Sequence, residues 1–374
     1  MLTSQLGIRL VLWMGETVPV PAPYEIVSAL TNVEVTRDVE YGDGFQLTFT
    51  LSKDTIGEYD LLRAGVLEPF NRVLIGVVLG AWPEVLMDGV IDHHQFAPSR
   101  EPGESTLTVT GKDVTAMLNL EQVNRPHKNQ PDYRIVTGLL KNYSQYGLRP
   151  AVTPTADVPL ELWRVPRQRE TDLQCIQRLA KDNGFVFYIE PVVFGKNMAY
   201  WGPENRLGVP QPALAQNMGP STNVETLNFS TDARAPVAAK GHFVEPIFKT
   251  LIPIPPLPPL RVPPLAAGPA PARRTVLLRQ AANRNPARAM LSAVTRATHA
   301  PEAVTGTGTL DTVRYGHVLR ARNLVGVQGA GYNHDGNYYV QRVKHTITRG
   351  SYTQEFTLKR EGTGALLPVV RPGW

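Results

Sequence analysis

Alternation of apolar and polar positions dominates residues 24–113. In Gly44–Lys53, Phe45, Leu47, Phe49 and Leu51 share one face, with Gln46, Thr48, Thr50 and Ser52 on the other, as a half-buried strand requires. Thr106–Thr110 repeats the pattern, with Leu107 and Val109 opposite the three threonines. Between them Val73–Leu79 is a continuous apolar run rich in β-branched residues, which predicts a strand covered on both faces. Gly42-Asp43-Gly44 and Glu101-Pro102-Gly103 supply turns. Residues 1–120 therefore read as a small antiparallel β-barrel or sandwich.

The period then lengthens. Asp132 is placed to cap a helix carrying Ile135, Val136, Leu139, Leu140 and Tyr143, with Gly147 as its stop. Thr171 and Gln174 have the spacing of a capping box ahead of Leu173, Ile176, Leu179 and Ala180, and Asn183-Gly184 ends that helix. Phe185–Ile189 reads as a strand, so residues 121–205 are expected to form a small α+β domain.

A second β-rich block occupies 206–374. Asn337–Val343 and Ser351–Arg360 read as strands joined through Arg349-Gly350, and His334-Asp335-Gly336-Asn337 as a hairpin turn. One helix is expected at 286–299, opened by Asn285-Pro286 and buried through Met290, Leu291 and Val294. A Pro-rich insertion spans 246–272; seven prolines in Ile252–Pro264 favour an extended polyproline strut over a neighbouring subunit and exclude a core strand. Phe45–Lys53 also lies on Tyr352–Arg360 with Phe49/Phe356, Thr50/Thr357 and Leu51/Leu358 matched, a faint sign of duplication.

Length and composition narrow the class. The 374 residues suffice for two to three domains, and a 42% hydrophobic, 19% charged composition excludes a disordered chain. The lone Cys175 excludes an intramolecular disulfide framework, and its place in an amphipathic segment predicts a buried thiol. No signal peptide or membrane span is expected, which predicts a cytoplasmically made protein. Net charge is unevenly spread: residues 1–260 hold 22 Lys+Arg and 28 Asp+Glu, against 16 and 5 in 261–374. No acidic residue lies between Glu245 and Glu302, an interval containing Arg273, Arg274, Arg279, Arg284 and Arg288. Arginines without interleaved aromatics favour acidic protein neighbours over nucleic acid.

Nothing in the sequence picks out a catalytic, cofactor or metal site. His93 and His94 are adjacent, so on a strand they face opposite ways and do not chelate one ion. There is no zinc-type helical histidine pair and no nucleophile elbow. Gly111-Lys112 lacks the earlier glycine of a phosphate loop, and Gly326, Gly329 and Gly331 precede a hairpin rather than a helix.

Three stretches together resemble the tail-hub proteins of contractile phages and injection systems: the late control protein D family and the hub portion of VgrG-type spikes. Met87–Leu118 (MDGVIDHHQFAPSREPGESTLTVTGKDVTAML) is similar to that family's strand, Pro-Gly turn, strand and Gly-x-Asp ending. Arg169–Glu190 (RETDLQCIQRLAKDNGFVFYIE), with AYWGP at Ala199–Pro203, is similar to its acid-led helix and aromatic strand. YYVQRVKHTITRGSYTQEFTLKREG, within Gly308–Gly362, is similar to its closing hairpin. The Pro-rich insertion and Arg-rich helix resemble the subgroup found in injection systems outside phages.

The resemblance implies a mainly β protein in which two tube-like β-barrel domains flank the α+β domain. It implies a homotrimer whose six barrels form a pseudo-hexameric ring, joining a hexameric inner tube to a separate trimeric spike among other baseplate components, nucleating the tube and passing effector cargo. No enzymatic activity or cofactor is expected. The alternatives are a tail-tip cell-wall hydrolase or peptidase, and a nucleic-acid-binding protein using the Arg-rich segment. Phe49, Leu51, Phe356 and Leu358 are expected in the barrel cores, and Leu173, Ile176 and Leu179 in the middle domain. The five arginines between 273 and 288 are expected at intersubunit or tube contacts.

Overall fold

The computed structural model describes residues 7–53, 59–63, 65–101, 103–155, 157, 159, 161, 165–244, 250–257, 263–277 and 302–366. The first block contains β1 (Ile8–Gly15), β2 (Val20–Pro21), α1 (Tyr24–Ala29), β3 (Leu30–Asp38), β4 (Gly44–Leu51), α2 (Asp60–Arg63), β5 (Arg72–Leu79), β6 (Trp82–Ala97) and β7 (Ser105–Asp113). The middle block contains β8 (Gln122–Pro126), α3 (Asp132–Lys141), β9 (Leu148–Val152), β10 (Arg167–Thr171), α4 (Asp172–Asn183), β11 (Val186–Val193) and β12 (Lys196–Gly202). The last block begins with β13 (Gln211–Ala215), β14 (Thr226–Thr231), β15 (Val237–Val244), β16 (Leu251–Leu257), β17 (Ala266–Pro269) and β18 (Arg274–Leu277). It closes with β19 (Val304–Asp311), α5 (Thr312–Tyr315), β20 (Leu324–Gln328), β21 (Gly336–Thr348), β22 (Ser351–Arg360) and β23 (Gly362–Ala365). The protein is thus mainly β, with a small α+β unit between two β-rich blocks.

The two β blocks are continuous. β3 and β21 pair antiparallel from Asp38↔Arg342 to Asn32↔Thr348, merging both into one 13-stranded sheet that includes the run β19-β22-β21-β3-β4-β7. Each block keeps its own core. Phe49 and Leu51 lie in the first, with Leu47, Ile75 and Leu107. Phe356 and Leu358 lie in the second, with Val325, Tyr338 and Val340. Ile347 and Tyr352, although in the last block, pack into the first core. Tyr352 and Phe356 share one buried face of β22, so position along the strand, not alternation, decides which core each side chain enters.

The blocks that sequence reading separates into two closed barrels are therefore joined along a shared seam. The last block curls back on itself through one residue, Asn223, rather than a strand ladder. Asn223 donates its backbone N–H to Ala215 O (3.1 Å) and its side-chain amide to Ala213 O (2.8 Å). Among the described residues, strand pairing alone closes neither block into a ring.

β4 and β22 occupy equivalent places, each one strand outward from the β3–β21 seam. The next strand outward is built alike on both sides: Phe45 pairs with Gly111 of β7, and Phe356 with Gly308 of β19. A Cβ at Gly111 would lie 2.5 Å from the Phe45 ring, and one at Gly308 2.6 Å from the Phe356 ring. Glycine is required where an aromatic ring lies flat across a neighbouring strand.

The middle block packs α3 and α4 beside the sheet β11-β12-β9 over a core of Ile135, Val136, Ile176, Leu179 and Trp201. The expected capping box is present at Thr171 and Gln174, and Gly184 adopts the left-handed conformation that ends α4. Leu173 is only half-buried, packed against that core from its edge. Two expectations need correction. Asp132 is the first residue of α3, which Pro131 precedes, and it makes no side-chain cap there; Gly147 ends a following 3₁₀ turn, Ser144–Tyr146, not α3.

The Pro-rich segment also departs from expectation. Its first part is β16, paired with β15 at the edge of a three-stranded sheet β16-β15-β18, rather than an unpaired strut. An edge strand needs donors on one side only, and a register shift between Ala239 and Gly241 absorbs the mismatch. The helix expected at 286–299 lies outside the described residues.

Candidate functional site: a charged joint between three blocks

Where the blocks meet, the structure buries a network of arginines and carboxylates. Arg37 at the end of β3 places Nε 3.1 Å from Asp43 and Nη2 2.6 Å from Glu190 of β11. Arg322, in the loop before β20, grips the same Asp43 with Nη1 (3.0 Å) and Nη2 (2.7 Å), donates to Asp38 O (2.9 Å), and lies over the Tyr188 ring at 4.7 Å. Arg320 pairs with Glu84 of β6 and, at 3.3 Å, with Glu190. Arg342 adds a 3.7 Å contact to Asp38. First block, middle block and last block are thus tied by forked contacts that only guanidinium supplies.

Burial works against charge on Asp43, but Arg322 and Arg37 more than offset it and hold its carboxyl below the usual carboxylate range. Arg322 reaches Asp43 from a left-handed backbone (φ 64°), uncommon for arginine, with its N–H donated to Val340 O at 2.8 Å.

A second joint fixes the middle block to the first. Arg72 of β5 holds Asp88 through Nε (2.7 Å) and Nη2 (2.6 Å) and donates to Tyr146 O (2.8 Å), while Asn197 donates to Asp88 (2.6 Å) and to Tyr146 O (3.1 Å). Beside it Phe194, from the β11–β12 turn, stacks on Trp13 at 5.2 Å and occupies the space a Cβ on Gly76 would take. In the last block Arg206 bridges Glu204, Glu302 and Glu361, and Glu361 accepts from the backbone of Leu265 and Ala266.

Of the sequence-predicted contact residues, Arg273 and Arg274 are exposed, Arg274 opening β18 in parallel register with Val237. Arg279, Arg284 and Arg288 lie outside the described residues. His93 is exposed and His94 half-buried on β6, their neighbours in register being Thr110 and Val109. Among the described residues no three His, Cys, Asp or Glu side chains converge as metal ligands. Cys175 is buried, and burial pushes its thiol up to about 12, which makes it unreactive. No helix among the described residues is long and apolar enough to cross a membrane.

Sequence reasoning missed the joint. Asp43 was legible only as a turn residue, and its partner Arg322 stands 279 positions away. The one local signal is the arginine-rich, acid-free stretch after Glu245, and it points to contacts with other proteins rather than to a buried joint.

No family model and no curated relative matches the chain. Solved structures do. A tail protein from Neisseria meningitidis superposes with a TM-score of 0.60 at 15% identity, over 96% of this chain and 98% of that one. The 43 kDa tail protein of prophage MuSo2 from Shewanella oneidensis gives 0.61 at 16% identity, over 95% and 98%. An E. coli component of the type VI secretion system, described as structurally similar to the T4 bacteriophage tail proteins gp27 and gp5, gives 0.54 at 13%, over 92% and 77%. The chain has the fold of phage tail and type VI secretion proteins. Among these it is similar over nearly its whole length to the two tail proteins.

Proposed function

We propose that the protein is a structural hub of a phage-like contractile tail or injection system, carrying no catalytic activity of its own. Three copies form a ring that joins a hexameric tube to a trimeric spike and nucleates tube assembly, with cargo passing through its lumen. The observation that carries this reading is the paired build of the chain. Two β blocks, each with its own core, flank one seam with β4 and β22 in equivalent places. Three such chains present six similar units, which reconciles threefold with sixfold symmetry. The buried joint supports this reading, because a hub must transmit force between its blocks without letting them slide. Exposed Arg273 and Arg274, with Arg279, Arg284 and Arg288, are assigned to intersubunit or tube contact.

The test is tube assembly with purified components. With the hub and its spike present, tube subunits polymerise into tubes that carry one hub at one end. Tubes that nucleate equally well without it overturn the proposal.

A further inference from the structure

We infer that the joint between the two β blocks is locked by a proton on Asp113, and that ionising this carboxyl loosens the joint. The argument begins with a charge balance. Four guanidinium groups, on Arg37, Arg320, Arg322 and Arg342, meet five carboxyl groups, on Asp38, Asp43, Glu84, Glu190 and Asp113. The first four carboxylates each touch a guanidinium. Asp113 is only 4% exposed, and its carboxyl accepts from uncharged partners, Thr115 N (3.2 Å) and the Thr115 hydroxyl.

Among the described residues no cation around it is free to compensate. On its own strand Lys112 is exposed to solvent. From the turn after β3, Asp43 is taken up by Arg37 and Arg322, and Asp113 donates its backbone N–H to Asp43 O at 3.3 Å. From β6, Asp88 is held by Arg72; from β11, Glu190 is held by Arg37 and Arg320. From α4, packed on the 3₁₀ turn that follows Asp113, Asp172 is held by Arg125 and Arg178 by Glu170. Burial, with the neighbouring Asp43 carboxylate, pushes the Asp113 carboxyl up to about 7.

Protonated, Asp113 leaves four positive charges facing four negative ones across a junction whose centre, at Arg37, Asp43 and Arg322, is buried. Ionised, it adds a fifth negative charge that no guanidinium contacts, and burying an unpaired charge is strongly unfavourable. The sign follows from linkage. Between the ordinary aspartate range near 4 and the folded value near 7, the closed joint holds a proton that the opened joint releases. Its contribution is therefore full at low pH and is lost as pH rises through about 7.

The experiment is amide hydrogen exchange on the full chain from pH 6 to 8.5, corrected for intrinsic rates. Protection in residues 37–43 and 318–324 is expected to fall about tenfold across that range, while α4 stays unchanged. Asp113→Asn, which keeps the shape and hydrogen bonding of the protonated acid, is expected to abolish the fall. Constant protection of the wild-type joint across the range overturns the inference, as does an unchanged fall in the variant. The wild-type arm stands alone if the variant does not fold.

Discussion

Arg322 and Asp43 stand 279 residues apart in the chain, yet their side chains meet at 2.7 Å inside the joint between the two β blocks. Asp43 is also gripped by Arg37, so one carboxylate serves two guanidiniums, and Arg37 carries the connection on to the middle block through Glu190. The pairs contribute by geometry more than by Coulomb energy, since desolvation consumes much of the attraction. What they supply is a fixed relation between elements that alternation alone leaves free to slide.

Removing one partner of this buried cluster is therefore costly. Asp43→Asn takes the carboxylate from Arg322 and leaves Arg37 only Glu190, and is expected to lower stability by about 3–5 kcal/mol in urea unfolding. Glu84→Gln removes a partner from the rim, where both side chains are about one-third exposed, and is expected to cost at most about 1 kcal/mol. Equal costs would contradict the picture of a buried centre with a solvated rim.

Truncation in either core tests whether the blocks unfold together. Phe49→Ala and Phe356→Ala are each expected to cost about 3–5 kcal/mol. Because Ile347 and Tyr352 of the last block pack in the first core, both variants should lose both blocks in one calorimetric transition. In the middle block Ile176→Ala is expected to cost about 2–5 kcal/mol and half-buried Leu173→Ala distinctly less.

The recurring Phe–Gly pairs make a sharper prediction. Gly111→Ala puts a methyl 2.2 Å from Val90 O, and Gly308→Ala puts one 2.2 Å from Thr226 O, both backbone atoms within the sheet. Each is expected to cost at least about 1–3 kcal/mol by thermal unfolding. Gly138→Ala on α3 meets nothing within 4 Å and is expected to stabilise by about 0.5–1 kcal/mol.

His345 supplies the opposite pH dependence to Asp113. Burial, with Arg320 and Arg37 nearby, depresses its pKa from the ordinary 6.5 to about 3, and its Nδ1 meets the Tyr352 hydroxyl at 2.9 Å. The unfolded chain binds a proton there that the folded chain refuses, so stability drops as pH falls below about 6.5 toward 3. Between about 4 and 6.5 the two groups nearly cancel. The stability difference between wild type and His345→Gln is therefore the informative quantity, and it should shrink or change sign as the medium is acidified from pH 7 to 4.5. A difference independent of pH would remove His345 from the account.

Much of the fold is legible because its signals are local. The alternation at Phe45–Leu51, the continuous run of β5 and the capping box at Thr171 each fix an element from its own residues. The β3–β21 pairing is not legible, because Val33 and Ile347 carry no mark of each other and the register is set by tertiary packing. The charged joint is hidden for the same reason. Proline content at β16 was misleading because prolines are tolerated on an edge, where half the donors have no partner to lose. Leu173 sits at the rim because the first turn of α4 lies at the edge of its core.

The five arginines between 273 and 288 are proposed to bear on assembly rather than folding. Reversing the charge at Arg273, Arg274, Arg279, Arg284 and Arg288 together is expected to prevent ring or particle formation, scored by negative-stain imaging, while reversal at exposed Arg273 and Arg274 alone leaves thermal stability within about 1 kcal/mol per site. Unchanged particles would remove these residues from the interface.

The most direct test of the central claim is the mass of the purified hub bound to its spike, determined by native mass spectrometry. The account predicts three copies of a 41.2 kDa chain in every complex, the number that gives six β blocks. Complexes containing one, two or six copies would contradict it.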